Sequence, residues 1–544
     1  MAGAGLYSVF EGYFTYCSQS CRLRTAPAAG ATVTLLAREM QKRCGVDPVL
    51  SATYTAAQLG VAQISDGVAL IVSNGSADLI LCEAATNRPR TIDLGTVSDP
   101  GTGYYVPQSP PMTDDWSMVQ ASDGMALQVD GTQQRLFLFG ASSALSMSVI
   151  NASGTPGTAQ LVSTSIGSLT KVQTFTVVPD SYGDLTALSR KDIAGFQIFG
   201  IGANGFLTLT ATIPDTGKSY VKDVADSASV LLGGQAYLLT ISAGEAGMTC
   251  YTVTPQGQAE LNDSLGNIDG LAIAGAAALQ TAQVGGQTFA IIASVTSSSL
   301  SVVRVNDMGC LFETDHVVDD HSSRIKGASA LDVFEVGGRV FVVAGGADAG
   351  LTIYEVLPGG TLGLVSSAAF ETGQGMGNIA SIDAAVNGDV VSIFVTEESA
   401  TRVQVFQSDF SQLGSLIVAT GNQTSGSGMD DRLMGRSSAD TLSGGGGDDF
   451  LHDGAGADRL VGGAGADVFV LCADTSTDTI ADFENGTDRI DLSDWGRIYA
   501  ASDLTVAQTA TGAQISFGGH VLVVNSSNGA PLSAGAFTDA DFIF

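Results

Sequence analysis

The hydrophobic pattern repeats about every fifty residues. An apolar run, a turn and a second apolar run recur as VAQISDGVALIV (turn at Gly67), LQVDGTQQRLFLF (Gly131), TVVPDSYGDLTAL (Asp184), VLLGGQAYLLTI (Gly234), TAQVGGQTFAII (Gly286), DVFEVGGRVFVV (Gly338) and DAAVNGDVVSIFV (Gly388). Successive turns lie 64, 53, 50, 52, 52 and 50 residues apart. A second set of turns keeps the same phase, ending at Gly154, Gly205, Gly257, Gly309 and Gly360. Each period therefore predicts strand, turn, strand, loop, strand, turn, strand, which is one four-stranded propeller blade. Seven periods predict a seven-bladed β-propeller over residues 47–421. The oversized first gap is expected to hold an irregular loop, DLGTVSDPGTGYYVPQSPPMTDDW, marked by its prolines. A strand near Pro48–Thr55 would complete the last blade and close the ring. No WD dipeptide and no kelch-type aromatic pattern accompanies the period, and the competing architecture is a β-sandwich array or another β-solenoid.

After a polar joint at 422–425 the period shortens to nine. Residues 426–470 read GSGMDDRLM, GRSSADTLS, GGGGDDFLH, DGAGADRLV and GGAGADVFV. The sixth place is always aspartate: Asp431, Asp440, Asp449, Asp458 and Asp467. The eighth is always large and apolar: Leu433, Leu442, Leu451, Leu460 and Phe469. This is the G-G-x-G-x-D-x-U-x pattern of a parallel β-roll. Glycine permits a tight turn that brings carbonyl oxygens together. Aspartate adds a hard anionic oxygen, and calcium takes six to eight such ligands. The candidate calcium ligands are the five aspartates and the backbone of Gly444, Gly445, Gly447, Gly454, Gly456, Gly462, Gly463 and Gly465. A flexible Gly/Asp-rich linker, the plain alternative, has no use for an apolar residue at every ninth place.

This stretch resembles the RTX (repeat-in-toxin, haemolysin-type) proteins that bacteria export by type I secretion. The resemblance implies two nonapeptides per coil, with calcium between coils stacked on the same side. Asp431 would share an ion with Asp449, Asp440 with Asp458, and Asp449 with Asp467, up to three ions. Units one and two depart from the pattern, with Ser427 and Arg436 at the second place and Met429 and Ser438 at the fourth. Asp453 replaces the first glycine of unit four. The following DTIADFENGTDRIDLSDW resembles the segment that caps the roll in that family. Ile480, Phe483, Ile490 and Leu492 are placed to cover the apolar stack. Asp478, Asp482, Asp488 and Asp491 are either further ligands or solvated. AQISF and HVLVV, separated by Gly518 and Gly519, predict a hairpin. The last residues, TDADFIF, resemble the uncleaved type I export signal, so residues 471–544 are expected to hold cap, hairpin and signal.

Composition agrees with an all-β chain. Glycine numbers 68 of 544 residues, and long amphipathic helical runs are rare. Acidic residues number 55 against 23 basic, a formal net charge of −32, which argues against nucleic acid and anionic membrane as partners. The doublets Asp430/Asp431 and Asp448/Asp449 repel by roughly a few kcal/mol per pair at short range, which suits a chain held unfolded until a cation arrives. Seven scattered cysteines give no disulfide framework, and Cys17/Cys21 form only a CxxxC. No eighteen-residue apolar stretch predicts a membrane span. Residues 1–46 lack the basic start and apolar core of a Sec leader and read as an arm.

No H-E-x-x-H or G-x-S-x-G occurs, so neither a zinc protease nor a lipase is supported. Gly217-Lys218-Ser219 ends like a phosphate loop but lacks its first glycine and contains Pro214. One mixed cluster, Asp315, His316, Asp319, Asp320 and His321, has metal-ligating types, although such a run is more often a solvated loop. Trp116, Tyr104 and Tyr105 lie in the irregular insertion, as a binding face or as packing. The expectation is an exported, extracellular calcium-binding protein whose propeller binds a glycan or protein. A propeller hydrolase or lactonase is the alternative, and it requires the Asp315–His321 loop to meet carboxylates from other blades.

Overall fold

The computed structural model describes strands at 49–55, 64–73, 76–83 and 88–96 by their backbone, and residues 124–544 apart from 131–132, 141–143, 151–156, 179–184, 321, 371–377 and 398–401. The arm at 1–46, the insertion with Tyr104, Tyr105 and Trp116, and His321 lie outside the described residues.

The fifty-residue period builds four-stranded antiparallel sheets. Five use consecutive strands, spanning 124–161, 172–214, 224–266, 276–318 and 330–369. A sixth joins Ile379–Asn387, Val390–Glu397 and Arg402–Asp409 to Val49–Thr55, which pairs antiparallel with Arg402–Asp409 from the other end of the propeller sequence. These are the blades of a six-bladed propeller. Among the described residues there are six four-stranded blades, not the seven expected. A further sheet has three strands among the described residues, Ile64–Ser73, Ser76–Glu83 and Arg88–Thr96. The hairpin placed at Gly67 is also corrected. Ile64–Ser73 runs through Gly67, its register slips between Ser65 and Val68, and the chain reverses between Ser73 and Ser76. A glycine inside a strand is a usual place for such a bulge.

Elsewhere the turns follow the sequence. Gly233 and Gly234, with φ of 55° and 84°, join Val224–Leu232 to Gln235–Ser242. Two consecutive positive φ angles make the turn whose twist matches a hairpin, and the glycine pairs at 285–286 and 337–338 repeat it. Middle strands are rich in apolar residues because both faces are covered: all seven residues of Arg339–Gly345 are buried, Arg339 included. Facing blades interlock through contacts such as Phe137 on Phe175, with ring centroids 4.5 Å apart. Aspartates tie blade to blade. Asp226 accepts the Leu279 N–H at 2.8 Å and Asp332 the Ala384 N–H at 2.8 Å, and burial pushes both carboxyls up to about 6.

The nine-residue period builds two parallel sheets coiled through about four turns. One runs Leu413–Val418, Asp430–Met434, Phe450–His452, Val468–Val470, Arg489–Asp491 and Phe542–Ile543. The other runs Gln423–Ser425, Thr441–Gly446, Arg459–Ala464, Thr477–Phe483 and His520–Ser526, and ends in the antiparallel strands Gly512–Phe517 and Thr505–Gln508. The first sheet thus begins at Leu413, inside the stretch whose pattern reads as propeller. Leu433 pairs with Leu451, Leu451 with Phe469 and Phe469 with Ile490; on the other side Leu442 pairs with Leu460 and Leu460 with Ile480. All are fully buried. Phe483 and Leu492 close the stack, and Phe542 near the end of the chain is buried on it. A buried ion triad joins coil to blade: Glu355 lies 2.7 Å from Arg339 and 2.6 Å from Arg432. No helix among the described residues is long and apolar enough to cross a membrane.

Candidate metal centre

Two residues in each nonapeptide have fixed directions. The eighth turns inward as filler, and the sixth is buried at the bend. The eighteen-residue register then stacks the aspartates in two columns. In the first, Asp449 Oδ1 accepts the Asp431 N–H at 2.8 Å, Asp467 Oδ1 the Asp449 N–H at 3.0 Å, and Asp488 Oδ1 the Asp467 N–H at 3.1 Å. In the second, Asp458 Oδ1 accepts the Asp440 N–H at 2.6 Å and Asp478 Oδ1 the Asp458 N–H at 2.9 Å. Cap residues Asp478 and Asp488 therefore continue the columns, and Asp482 takes the N–H groups of Gly462 and Gly463. Asp491 instead accepts from Ser493 in its own turn.

The second oxygens separate the five aspartates. Oδ2 of Asp449, Asp458 and Asp467 is buried and accepts no hydrogen bond. Oδ2 of Asp431 receives the N–H and hydroxyl of Ser427. Asp440 Oδ2 receives the Arg436 N–H, and its Oδ1 meets the Arg436 guanidinium at 2.6 Å. The departures at the second place of units one and two thus satisfy their own aspartates from within the chain. Where that place is glycine, one carboxylate oxygen is left bare.

A bare buried carboxylate favours its proton. Burial, with repulsion from neighbouring aspartates, pushes Asp449 up to about 8, Asp467 to about 7 and Asp458 to about 6, against opposing backbone hydrogen bonds. Burial also acts on Asp440, but Arg436 outweighs it and the carboxyl falls. The bends leave no room for side chains. Gly463 and Gly465 have φ of 111° and 136°, and a Cβ on either would strike the carbonyl oxygen of Gly445 or Gly447 one coil below. Bare carboxylate oxygens with crowded carbonyls form an all-oxygen donor set, the chemistry calcium takes.

Several contributors escaped the sequence reading. The fifth place forms its own ladder, Asp430 Oδ1 accepting from Asp448 N–H and Asp448 Oδ1 from Ala466 N–H. Asp453, noted only as a lost glycine, joins Asp458 and Asp478 in a wholly buried group whose ligand atoms lie within 4.8 Å of one another. The propeller cluster is different. Asp315 Oδ2 accepts the Leu362 N–H of the next blade, His316 Nδ1 lies 2.8 Å from Ser301, Asp319 accepts from Ile325, and Asp320 from Ser322. Asp315 and His316 lie on the edge strand Leu311–Val318, and among the described residues the cluster does not gather into a metal-holding group.

Residues 393–517 match the family described as Peptidase M10 serralysin C terminal. With the ladder geometry, this marks the coil as an RTX-type calcium-binding repeat region following a propeller. No curated protein matches the chain. Among solved structures, a crystal structure of a protein from Lactobacillus plantarum is 14% identical, covering 67% of this chain and 96% of its own, with a TM-score of 0.39.

Proposed function

We propose that the chain is an exported RTX protein whose coil folds on calcium outside the cell and whose propeller binds an extracellular glycan or protein. The observation that carries the reading is the three buried aspartate oxygens, on Asp449, Asp458 and Asp467, that the chain itself leaves without a partner. Calcium would be held by these three aspartates and by the backbone of Gly444, Gly445, Gly447, Gly454, Gly456, Gly462, Gly463 and Gly465, whereas Asp431 and Asp440, expected from the sequence as further ligands, have oxygens already taken by Ser427 and Arg436. It supplies positive charge, and its binding energy becomes folding energy. Extracellular modules bind it at about 0.1–1 mM, so the coil stays open where calcium is scarce and closes where it is plentiful.

The division we propose is an arm at 1–46, a propeller at 47–421 whose final strand Leu413–Val418 already pairs into the coil, the coil repeats at 422–470, and cap, hairpin and type I export signal at 471–544. The three-stranded sheet serves as a seventh, incomplete blade. Its strand Ile64–Ser73 adjoins both Ile379–Asn387 and Gly124–Asp130. Binding rather than hydrolysis suits a propeller whose described mixed cluster is engaged in its own hydrogen bonds, Asp315 to the next blade and His316, Asp319 and Asp320 to nearby residues. A calcium titration followed by circular dichroism, paired with a glycan array, tests the reading. The full chain should gain β signal and array binding at millimolar calcium. Asp449→Ala, Asp458→Ala and Asp467→Ala together should abolish the calcium response, and an unchanged response would refute it.

A further inference from the structure

The coil brings a second, chemically different donor set together. His452 ends the strand Phe450–His452, beside inward-facing Leu451. Parallel register lays it against Val470. Asp453 follows, and its N–H donates to the Val470 carbonyl; Cys472 comes two residues later, and its N–H donates to Asp453 Oδ1 at 2.9 Å. The Cys472 sulfur lies 3.9 Å from Nε2 and 4.0 Å from Nδ1 of His452. One ligand atom from each of His452, Asp453 and Cys472 falls within 4.8 Å of the others, with Asp453 buried and the other two half-buried. Asp494 faces both His452 and Cys472, and Asp491 and Arg432 also face the imidazole.

We infer that His452, Asp453 and Cys472 bind a zinc-type divalent transition ion beside the calcium columns. A thiolate, an imidazole and a carboxylate are the donors such an ion takes in tetrahedral geometry, with bonds of roughly 2.0–2.3 Å. That geometry sets ligand atoms roughly 3.3–3.6 Å apart, so the sulfur–nitrogen distance closes by a few tenths of an ångström. Calcium, which takes oxygen ligands, does not compete for a sulfur and a nitrogen. Coordination releases the Cys472 thiol proton to solvent, and three protein ligands leave a fourth position for water. The ion would staple the end of unit three to the residues after unit five, across one full coil. Because Asp453 also belongs to the group with Asp458 and Asp478, the staple abuts a calcium column.

The test is a cobalt titration of the full chain at saturating calcium. One equivalent of cobalt should raise a thiolate-to-cobalt charge-transfer band, and zinc should erase it. Cys472→Ser should abolish the band while the far-ultraviolet dichroism in calcium is unchanged. His452→Gln keeps every cysteine and should weaken or remove it. No band in the parent protein overturns the proposal, as does a band that survives Cys472→Ser or is undiminished in His452→Gln. Calcium ligands contribute no sulfur, so failure of the calcium reading leaves this outcome separately readable.

Discussion

At the scale of single residues, the second place of each nonapeptide decides what its aspartate is for. Ser427 and Arg436 satisfy Asp431 and Asp440, whereas Gly445, Gly454 and Gly463 donate nothing to the Oδ2 of Asp449, Asp458 and Asp467. The sequence displays the aspartates and the substitutions at that place. It does not display the consequence, because a free lone pair is a fact of packing. Likewise Asp453, His452 and Cys472 meet only through parallel register between units. A pH dependence follows from the bare carboxylates. Unfolded, they titrate near 3.8; folded without a cation, Asp458, Asp467 and Asp449 titrate at about 6, 7 and 8. The folded coil then holds more protons than the unfolded one, so its stability falls as pH rises from about 4 to about 8. In chelator, circular dichroism should show more coil β signal at pH 5 than at pH 7.5. Saturating calcium should reverse the slope, because ion and proton compete for the same oxygens. A flat slope in chelator would contradict the assignment.

At the scale of elements, turn chemistry was the most legible feature. Glycine pairs at 233–234, 285–286 and 337–338 announced their hairpins, and Gly518-Gly519 announced another. Gly67 misled because a glycine serves a bulge as readily as a turn, and the flanking residues are apolar in either case. The start of the coil misled for a related reason. Leu413–Val418 reads as one more propeller strand, yet it pairs in parallel with Asp430–Met434. What fixes that junction is the triad of Arg339, Glu355 and Arg432, with Arg339 also donating to the Asp430 carbonyl at 3.0 Å. Three charges scattered over ninety residues carry no local pattern. Removing the shared carboxylate leaves two buried guanidinium groups facing each other, a loss of about 3–5 kcal/mol. Denaturant unfolding of Glu355→Ala in calcium should show a fall of that size. A change below about 1 kcal/mol, the value of an exposed pair, would show that the triad does not hold blade to coil.

At the scale of the whole molecule, two periods in one chain divide the labour. The fifty-residue period makes blades that hold themselves together by buried apolar runs and interblade aspartate bonds. The nine-residue period makes a coil whose buried carboxylates repel unless something positive sits among them, in a chain already carrying −32. Residues 541–543 belong to that coil: Phe542–Ile543 pairs with Arg489–Asp491, so folding the coil also buries Asp541 and Phe542 of the tail read as an export signal. The most direct measurement is a crystal structure of the full chain grown in millimolar calcium. Electron density for an ion should lie about 2.3–2.6 Å from Oδ2 of Asp449, Asp458 and Asp467, with carbonyl oxygens from the bends completing each shell. Those three oxygens surrounded by water alone would contradict the account.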